Sequence, residues 1–340
     1  MNWRRVLVKI LLGVFITAGT IIFLLPLFNI DKLRSLVVNI NYIWLCLGFI
    51  AYIFAYITRA LRFKALLPEN AVSFGVMAKI TSIHTVAVRI LPNPFGEIFF
   101  ISQTKRVGIK YSSSISALIV YRSLDFIIIS LLLMAGSIIL IPVEKFSALI
   151  AAILGGVITS VAITIIIFMS FYQGPMIRIR DYIVNWFPKH TTIIKEKSDS
   201  LIRALASLRQ QKTFTMAISF SFLVWVFMVL SYGLFLKAVG IALPIGALIA
   251  GGSTQVLINT LPNIAGLGTM EAGWLLGLGL GNISPETALL GAVVVDLATL
   301  VGTLAIWGIV MIISAVISKK TNEKNFIQSL GHKSWYRSKK

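Results

Sequence analysis

The segments RILPNPFGEIFF (Arg89–Phe100) and NTLPNIAGLGTMEAGW (Asn259–Trp274) each break a long apolar stretch with the same tripeptide and lead through glycine to an acid. Proline removes a backbone donor and clashes with the preceding turn, so Pro92 and Pro262 end a helix. Gly96, Gly266 and Gly268 complete the two breaks, and Asn93 and Asn263 can cap a helix that restarts. Non-helical backbone survives at membrane depth only where it is buried in protein or lines a watery cavity. A restarted helix turns its positive N-terminal end to such a cavity, which favours an anion there.

Aligned on their glutamates, the two copies agree further. Glu97 to Arg122 and Glu271 to Asp296 are both separations of 25 residues, each crossing a glycine (Gly108, Gly281) and entering an apolar helix. Equal spacing predicts an internal repeat.

The chain has 340 residues, of which 57% are hydrophobic and 13% charged, and a mean hydropathy of +0.91. Soluble domains carry roughly 45–50% apolar and roughly 25% charged residues, so this composition predicts an all-α polytopic membrane protein. The net charge of +19 does not require nucleic acid, because the basic residues cluster at segment ends as in cytoplasmic loops. One cysteine, Cys46, allows no intrachain disulfide, and three scattered histidines (His84, His190, His332) give no metal-ligand spacing. GALIAGGST, from Gly246, lacks the lysine of a phosphate loop and reads as helix packing. No cofactor or metal is expected.

Full spans are predicted near Val6–Leu27, Tyr42–Leu61, Ser113–Ile141, Ser147–Phe171, Thr213–Lys237 and Glu286–Ile317. The first reads as an uncleaved transmembrane helix, because its apolar run is too long for a signal-peptide core. Arg4, Arg5 and Lys9, then Arg59, Arg62 and Lys64, read as cytoplasmic flanks. So do the basic loop 172–212, with eight Lys/Arg against three acids, and the tail 319–340. These assignments close only if Phe74–Thr104 enters and leaves on the cytoplasmic side and Pro244–Asn282 on the other. The expected architecture is about six spanning helices and two re-entrant hairpins in an inverted repeat, within one membrane domain (1–318). Both termini are expected in the cytoplasm, in the inner or plasma membrane. Within the loop, Ile194, Leu201, Leu205 and Leu208 share a helical face and predict an interfacial amphipathic helix.

Charges at membrane depth are expensive, at least about 2.5–3.5 kcal/mol each on insertion scales. Lys79, His84, Arg89, Glu97, Arg122, Asp125, Glu271 and Asp296 are placed there. Arg122 and Asp125 lie three apart on one helix, within pairing reach. Glu97 can neutralise Arg89 or Arg122, while Asp296 or Glu271 needs a cation from the other half. One reading makes all of these structural ion pairs. In the other, Arg89 and Arg122, with Asn93 and Asn263, hold a phosphate headgroup, since the planar guanidinium binds phosphate bidentately. Glu97, Asp125, Glu271 and Asp296 then balance or couple that charge. Gly273, Gly277 and Gly281 form a small-xxx-small stripe for close helix packing.

ILPNPFGE, then GIKYSSSISALIVYRSLD, then LPNIAGLGTMEAGWLLGLGLG resemble the transmembrane region of lysylphosphatidylglycerol synthases, a flippase-like family. The resemblance runs from about Leu45 to Ile317 and rests on Gly96, Glu97, Arg122, Asp125, Gly266, Gly268 and Glu271. It implies translocation of anionic or aminoacylated phospholipids, or a role in polyprenyl-linked glycan or hopanoid pathways. Three positions depart from the family pattern: Phe100 where an arginine is expected, Tyr121 where an acid is usual, and Asp296 where an arginine is common. The synthases' soluble aminoacyl-transferase domain has no counterpart, so no aminoacylation is expected. The expected partners are anionic or polyprenyl-phosphate lipids, with no nucleic acid; homo-oligomers and pathway enzymes stay open. Two rival readings stay open too: a membrane enzyme on lipid-linked phosphate using His84, Glu97 or Asp125, and a non-transporting accessory subunit.

Overall fold

A computed structural model describes residues 17–20, 22, 24, 26, 30–67, 72–91, 95–142, 145–171, 173–186, 191, 195, 198–199, 202, 211–260 and 266–337. Among them the regular structure is helical, without strands. In chain order the helices are α1 (Ile30–Val38), α2 (Tyr42–Leu66), α3 (Phe74–Ile90), α4 (Phe95–Arg106), α5 (Tyr111–Leu140) and α6 (Lys145–Phe171). They continue with α7 (Gln173–Trp186), α8 (Gln211–Ala238), α9 (Ile245–Ile258), α10 (Thr269–Gly279) and α11 (Pro285–Arg337).

Four helical stretches are long and apolar enough to cross a membrane: Tyr42–Leu66, Tyr111–Leu140, Thr213–Ala238 and Pro285–Ile317. Outward apolar side chains such as Ile153, Val157, Leu304 and Ile312 leave these and α6 with a surface suited to lipid. The chain is therefore a multi-pass membrane protein. The expected span Ser147–Phe171 lies within α6. Most of Val6–Leu27, and the apolar face predicted around Ile194 to Leu208, fall outside the described residues. The tail 319–340 does not begin at a break, because α11 continues to Arg337.

Local chemistry sets the ends of these helices. Ile43 and Trp44 donate backbone N–H groups to Asn41 Oδ1 at 3.1 and 3.3 Å, opening α2. Leu67 and Leu91 close α2 and α3 in extended conformation. Each precedes a proline, whose ring crowds the preceding residue out of the helical region. The first tripeptide thus ends its helix as predicted.

α2 and α8 run antiparallel. Asn41 N donates to Ala238 O at 2.7 Å, Lys237 Nζ sits 3.7 Å over the Trp44 ring, and Phe54 stacks on Phe227. The shorter helices form two hairpins, α3–α4 and α9–α10, of 17 and 12, then 14 and 11 residues. At about 1.5 Å per residue none reaches the roughly 30 Å of a hydrocarbon core. A Cβ on Gly96 would lie 2.8 Å from Val88 Cα, so the first hairpin closes tightly near its tip. The second is closed along its length. Cβ atoms on Gly273 and Gly277 would fall 2.3 and 2.5 Å from the Cα atoms of Gln255 and Gly251, and one on Gly281 would fall 2.8 Å from Ala247 Cβ. The glycine stripe is packing, as its spacing suggested.

The repeat extends to the backbone. Adding 174, the separation of Glu97 and Glu271, carries the starts of α4 and α5 onto those of α10 and α11. The connecting turns match bond for bond. Ile109 N donates to Thr104 O and Gly108 N to Lys105 O; Ile283 N donates to Leu278 O and Asn282 N to Gly279 O. This is the Schellman pattern, with a left-handed residue at the equivalent place: Gly108 at φ 86° and Asn282 at φ 57°. The hairpins point oppositely along α5. The first delivers its chain into the start of α5 through the Thr104–Ser114 hydroxyl contact, whereas Gly246 and Gly281 lie against Leu140 at its other end.

Each hairpin has its own apolar core. Met77, Ile80 and Phe100 of the first pack with Phe63, Leu66, Leu118 and Leu124. Trp274 and Leu278 of the second pack with Leu248, Ile129, Leu133, Phe235 and Leu236. The seam crosses α5 between Leu124 and Ile128, and α2 between Tyr56 and Phe63, where Asp125, Arg59 and Arg62 lie.

Candidate functional site

A cavity of about 390 Å³ opens along that seam. Its wall is drawn from both hairpins and from the long helices: Thr85, Arg89 and Glu97 from the first hairpin, Gln255, Asn259 and Met270 from the second. α5 adds Tyr121, Arg122 and Asp125; α2 adds Tyr52 and Arg59; α8 adds Trp225 and Tyr232; α11 adds Thr299 and Thr303. Apolar and aromatic walls with a few convergent polar groups are the usual make-up of a ligand site of this size.

Three ion pairs organise the charges. Arg62 Nη1 donates to Asp125 Oδ1 at 2.6 Å and to Ser221 Oγ at 3.1 Å, and Trp225 Nε1 donates to the same carboxylate oxygen at 2.9 Å. Arg62 is wholly buried. Such a charge is tolerable only because its partner and hydrogen bonds are already in place. Arg122 donates to Glu97, joining α5 to the first hairpin. Arg89 donates to the carboxylate of Asp296 and, at 3.1 Å, to its carbonyl oxygen, joining the first hairpin to α11.

These pairings correct two readings of the sequence. Asp125 is partnered by Arg62 rather than by Arg122, three residues away, because α5 presents the two side chains to different neighbours. Arg59 and Arg62 do not follow the end of the helix, since α2 continues to Leu66 and carries both into the bundle. They extend the stripe of Tyr52, Ala55 and Tyr56 at helical spacing, and that periodicity was the signal available for them. Other expectations stand: Glu97 neutralises Arg122, and Asp296 takes its cation, Arg89, from the other half.

The remaining named residues fall as follows. Glu271 lies off the cavity wall and accepts from Gly268 N at 2.8 Å through Oε2, in the first turn of its own helix. Gly266 lines the cavity, and both it and Gly268 have positive φ, 76° and 80°, at the restart of the second hairpin. Gly96 sits inside the first turn of α4 and acts by close packing. Pro92, Asn93, Pro262 and Asn263 lie outside the described residues.

The three departures noted in the sequence acquire partners. Tyr121 lies between two guanidinium groups, with Arg62 Cζ 4.5 Å and Arg122 Cζ 5.1 Å from its ring centre, a cation–π arrangement an acid would not give. Phe100 is fully buried against Phe63 and His84, in an aromatic box. Asp296 neutralises Arg89, whereas an arginine there would face it.

His84 is enclosed by Phe63, Phe100 and Tyr121, off the cavity wall, and both ring nitrogens lack hydrogen-bond partners among the described residues. It cannot exchange a proton with a ligand in the cavity. What the wall can do is hold an anion by guanidinium groups, offer hydroxyl and amide groups to its substituents, and shelter it from hydrocarbon.

No curated protein and no solved structure matches the chain. Residues 10–306 match the family model described as the lysylphosphatidylglycerol synthase TM region. With most of its length covered by that match, the chain belongs to the family of the lysylphosphatidylglycerol synthase TM region.

Proposed function

We propose that this protein translocates a phosphate-bearing lipid across the inner or plasma membrane, passing its headgroup through the cavity between the hairpins. The observation that carries the reading is the cavity itself, which joins Arg89 and Glu97 of one hairpin to Gln255 and Asn259 of the other. Transporters of several folds build such sites from two oppositely oriented repeats with broken helices. The repeated turns and the hairpins' opposed entry along α5 support that architecture here, with each hairpin re-entrant from its own side. Within the site Glu97 is paired with Arg122 and Asp296 with Arg89. An incoming phosphate competes with Glu97 for Arg122 and with Asp296 for Arg89, loosening the contacts between halves. Both termini lie in the cytoplasm on this reading, and the cargo is an anionic phospholipid or a polyprenyl phosphate.

The test is leaflet exchange of fluorescent anionic, zwitterionic and polyprenyl-phosphate lipids in liposomes carrying the purified protein, beside folded Glu97→Gln and Arg122→Ala variants. Faster exchange of one lipid class, lost in both variants, is the expected result. Exchange indifferent to both substitutions would show that the cavity charges are architecture.

A further inference from the structure

Arg89 and Arg122 lie on the cavity wall, but each is already held by a carboxylate, Asp296 and Glu97. Asp125 is taken by Arg62. Arg59 is the cavity arginine left over. Among the described residues no carboxylate oxygen lies within 4.0 Å of its guanidinium, and its side-chain contact is Met228 Sδ at 4.0 Å, a weak acceptor. Arg59 is half-buried, and among the described residues it has no anionic partner.

A second group is also unmet. Gln255, 3% exposed, has its Oε1 buried without a hydrogen-bond partner among the described residues, although the residue lines the cavity. Its backbone is pinned by the close approach of Gly273, so it cannot withdraw. A buried acceptor of this kind is costly until a donor arrives.

We infer that Arg59 is the residue that holds the cargo's phosphate, and that the cavity selects a headgroup of one net negative charge bearing a hydroxyl, which Gln255 accepts. The inference rests on the translocation reading for the cargo's being a lipid. A phosphodiester with a glycerol substituent meets both unmet groups. A lysylated headgroup keeps a phosphate and a hydroxyl, but its two ammonium groups outweigh the phosphate and bring net positive charge to a wall already in surplus of it.

The experiment is equilibrium binding to the purified protein in detergent of three short-chain probes: dihexanoyl phosphatidylglycerol, dihexanoyl phosphatidylcholine and dihexanoyl lysylphosphatidylglycerol. Both lipids carry the phosphate, but choline adds a cation beside the surplus positive charge and brings no hydroxyl for Gln255, so the anionic lipid should bind about ten-fold more tightly, a difference of about 1.4 kcal/mol, and the lysylated lipid should bind least. Arg59→Gln should reduce the preference and Arg59→Lys should keep most of it, with melting temperatures reporting the fold of each. Gln255→Leu should weaken phosphatidylglycerol binding and spare phosphatidylcholine. Tightest binding of the lysylated lipid by the wild-type protein would overturn the inference whatever the variants do, as would an undiminished preference in Arg59→Gln. Selective binding without leaflet exchange would sink translocation and leave Arg59's assignment standing; exchange without Arg59-dependent selectivity would do the reverse.

Discussion

Arg89, in the last turn of the first hairpin's leading helix, is held by Asp296 on α11, 207 residues further along the chain. The two are 15% and 14% exposed at the side chain and tie the halves of the repeat together beside the cavity. Removing one partner leaves the other charge in a poorly solvated site, at a cost of about 3–5 kcal/mol. Asp296→Ala and Arg89→Ala should each lower the melting temperature in detergent sharply. Arg89→Gln with Asp296→Asn should recover most of the loss, since no bare charge remains. A double variant as unstable as either single one would show that the pair is not the link.

Burial separates this bundle's ion pairs by strength. Arg62→Ala, which strands Asp125 and Trp225, should also cost about 3–5 kcal/mol. Lys32 and Glu286, 2.9 Å apart but 47% and 39% exposed, should be worth at most about 1 kcal/mol, and less in high salt. Melting curves of Arg62→Ala and Lys32→Ala at two salt concentrations check both.

The second hairpin should be intolerant of a single methyl group. Gly277→Ala places a carbon 2.5 Å from Gly251 Cα and should destabilise by about 1–3 kcal/mol through forced separation of α9 and α10. Gly279, two residues on, meets nothing within 4 Å, so Gly279→Ala should change stability by less than about 0.5 kcal/mol. Equal effects in thermal unfolding would remove the backbone contact as the explanation.

His84 offers the opposite case. With two ring nitrogens buried and unpartnered amid aromatic side chains, replacement by an apolar group of similar size removes a desolvation cost. His84→Leu should be as stable as the wild type or more so, with leaflet exchange unchanged. Lost exchange in a stable His84→Leu protein would return the histidine to the site.

Much of this arrangement was legible in the amino-acid order. Apolar runs marked the long helices, the prolines marked the hairpin tips, and the equal spacing after Glu97 and Glu271 anticipated a repeat that the turns at Gly108 and Asn282 display in hydrogen bonds. The high cost of charge in hydrocarbon required partners for Glu97 and Asp296, and they have them. Arg59 and Arg62 were misread for a physical reason. A basic residue near the end of an apolar run looks the same whether the helix stops before it or carries it inward, and the extra turn to Leu66 is decided by burial against α5 and α8. Asp125's partner was hidden because spacing along one helix reports reach, while the choice among cations depends on how three helices cross.

The two hairpins are fastened unequally. α9 and α10 touch backbone to backbone at Gly273 and Gly277, Trp274 lies on Gly251, and Gly246 keys the pair onto α5 at Gly136. The first hairpin shows one such glycine contact, Gly96 on Val88 near its tip, and is held besides by its buried apolar side chains and by the charges of Arg89 and Glu97. The wall that carries Gln255 is set by backbone contact, whereas the wall that carries Arg89 and Glu97 shares its hold with ion pairs, so the position of the first hairpin depends on charge in a way that the second does not.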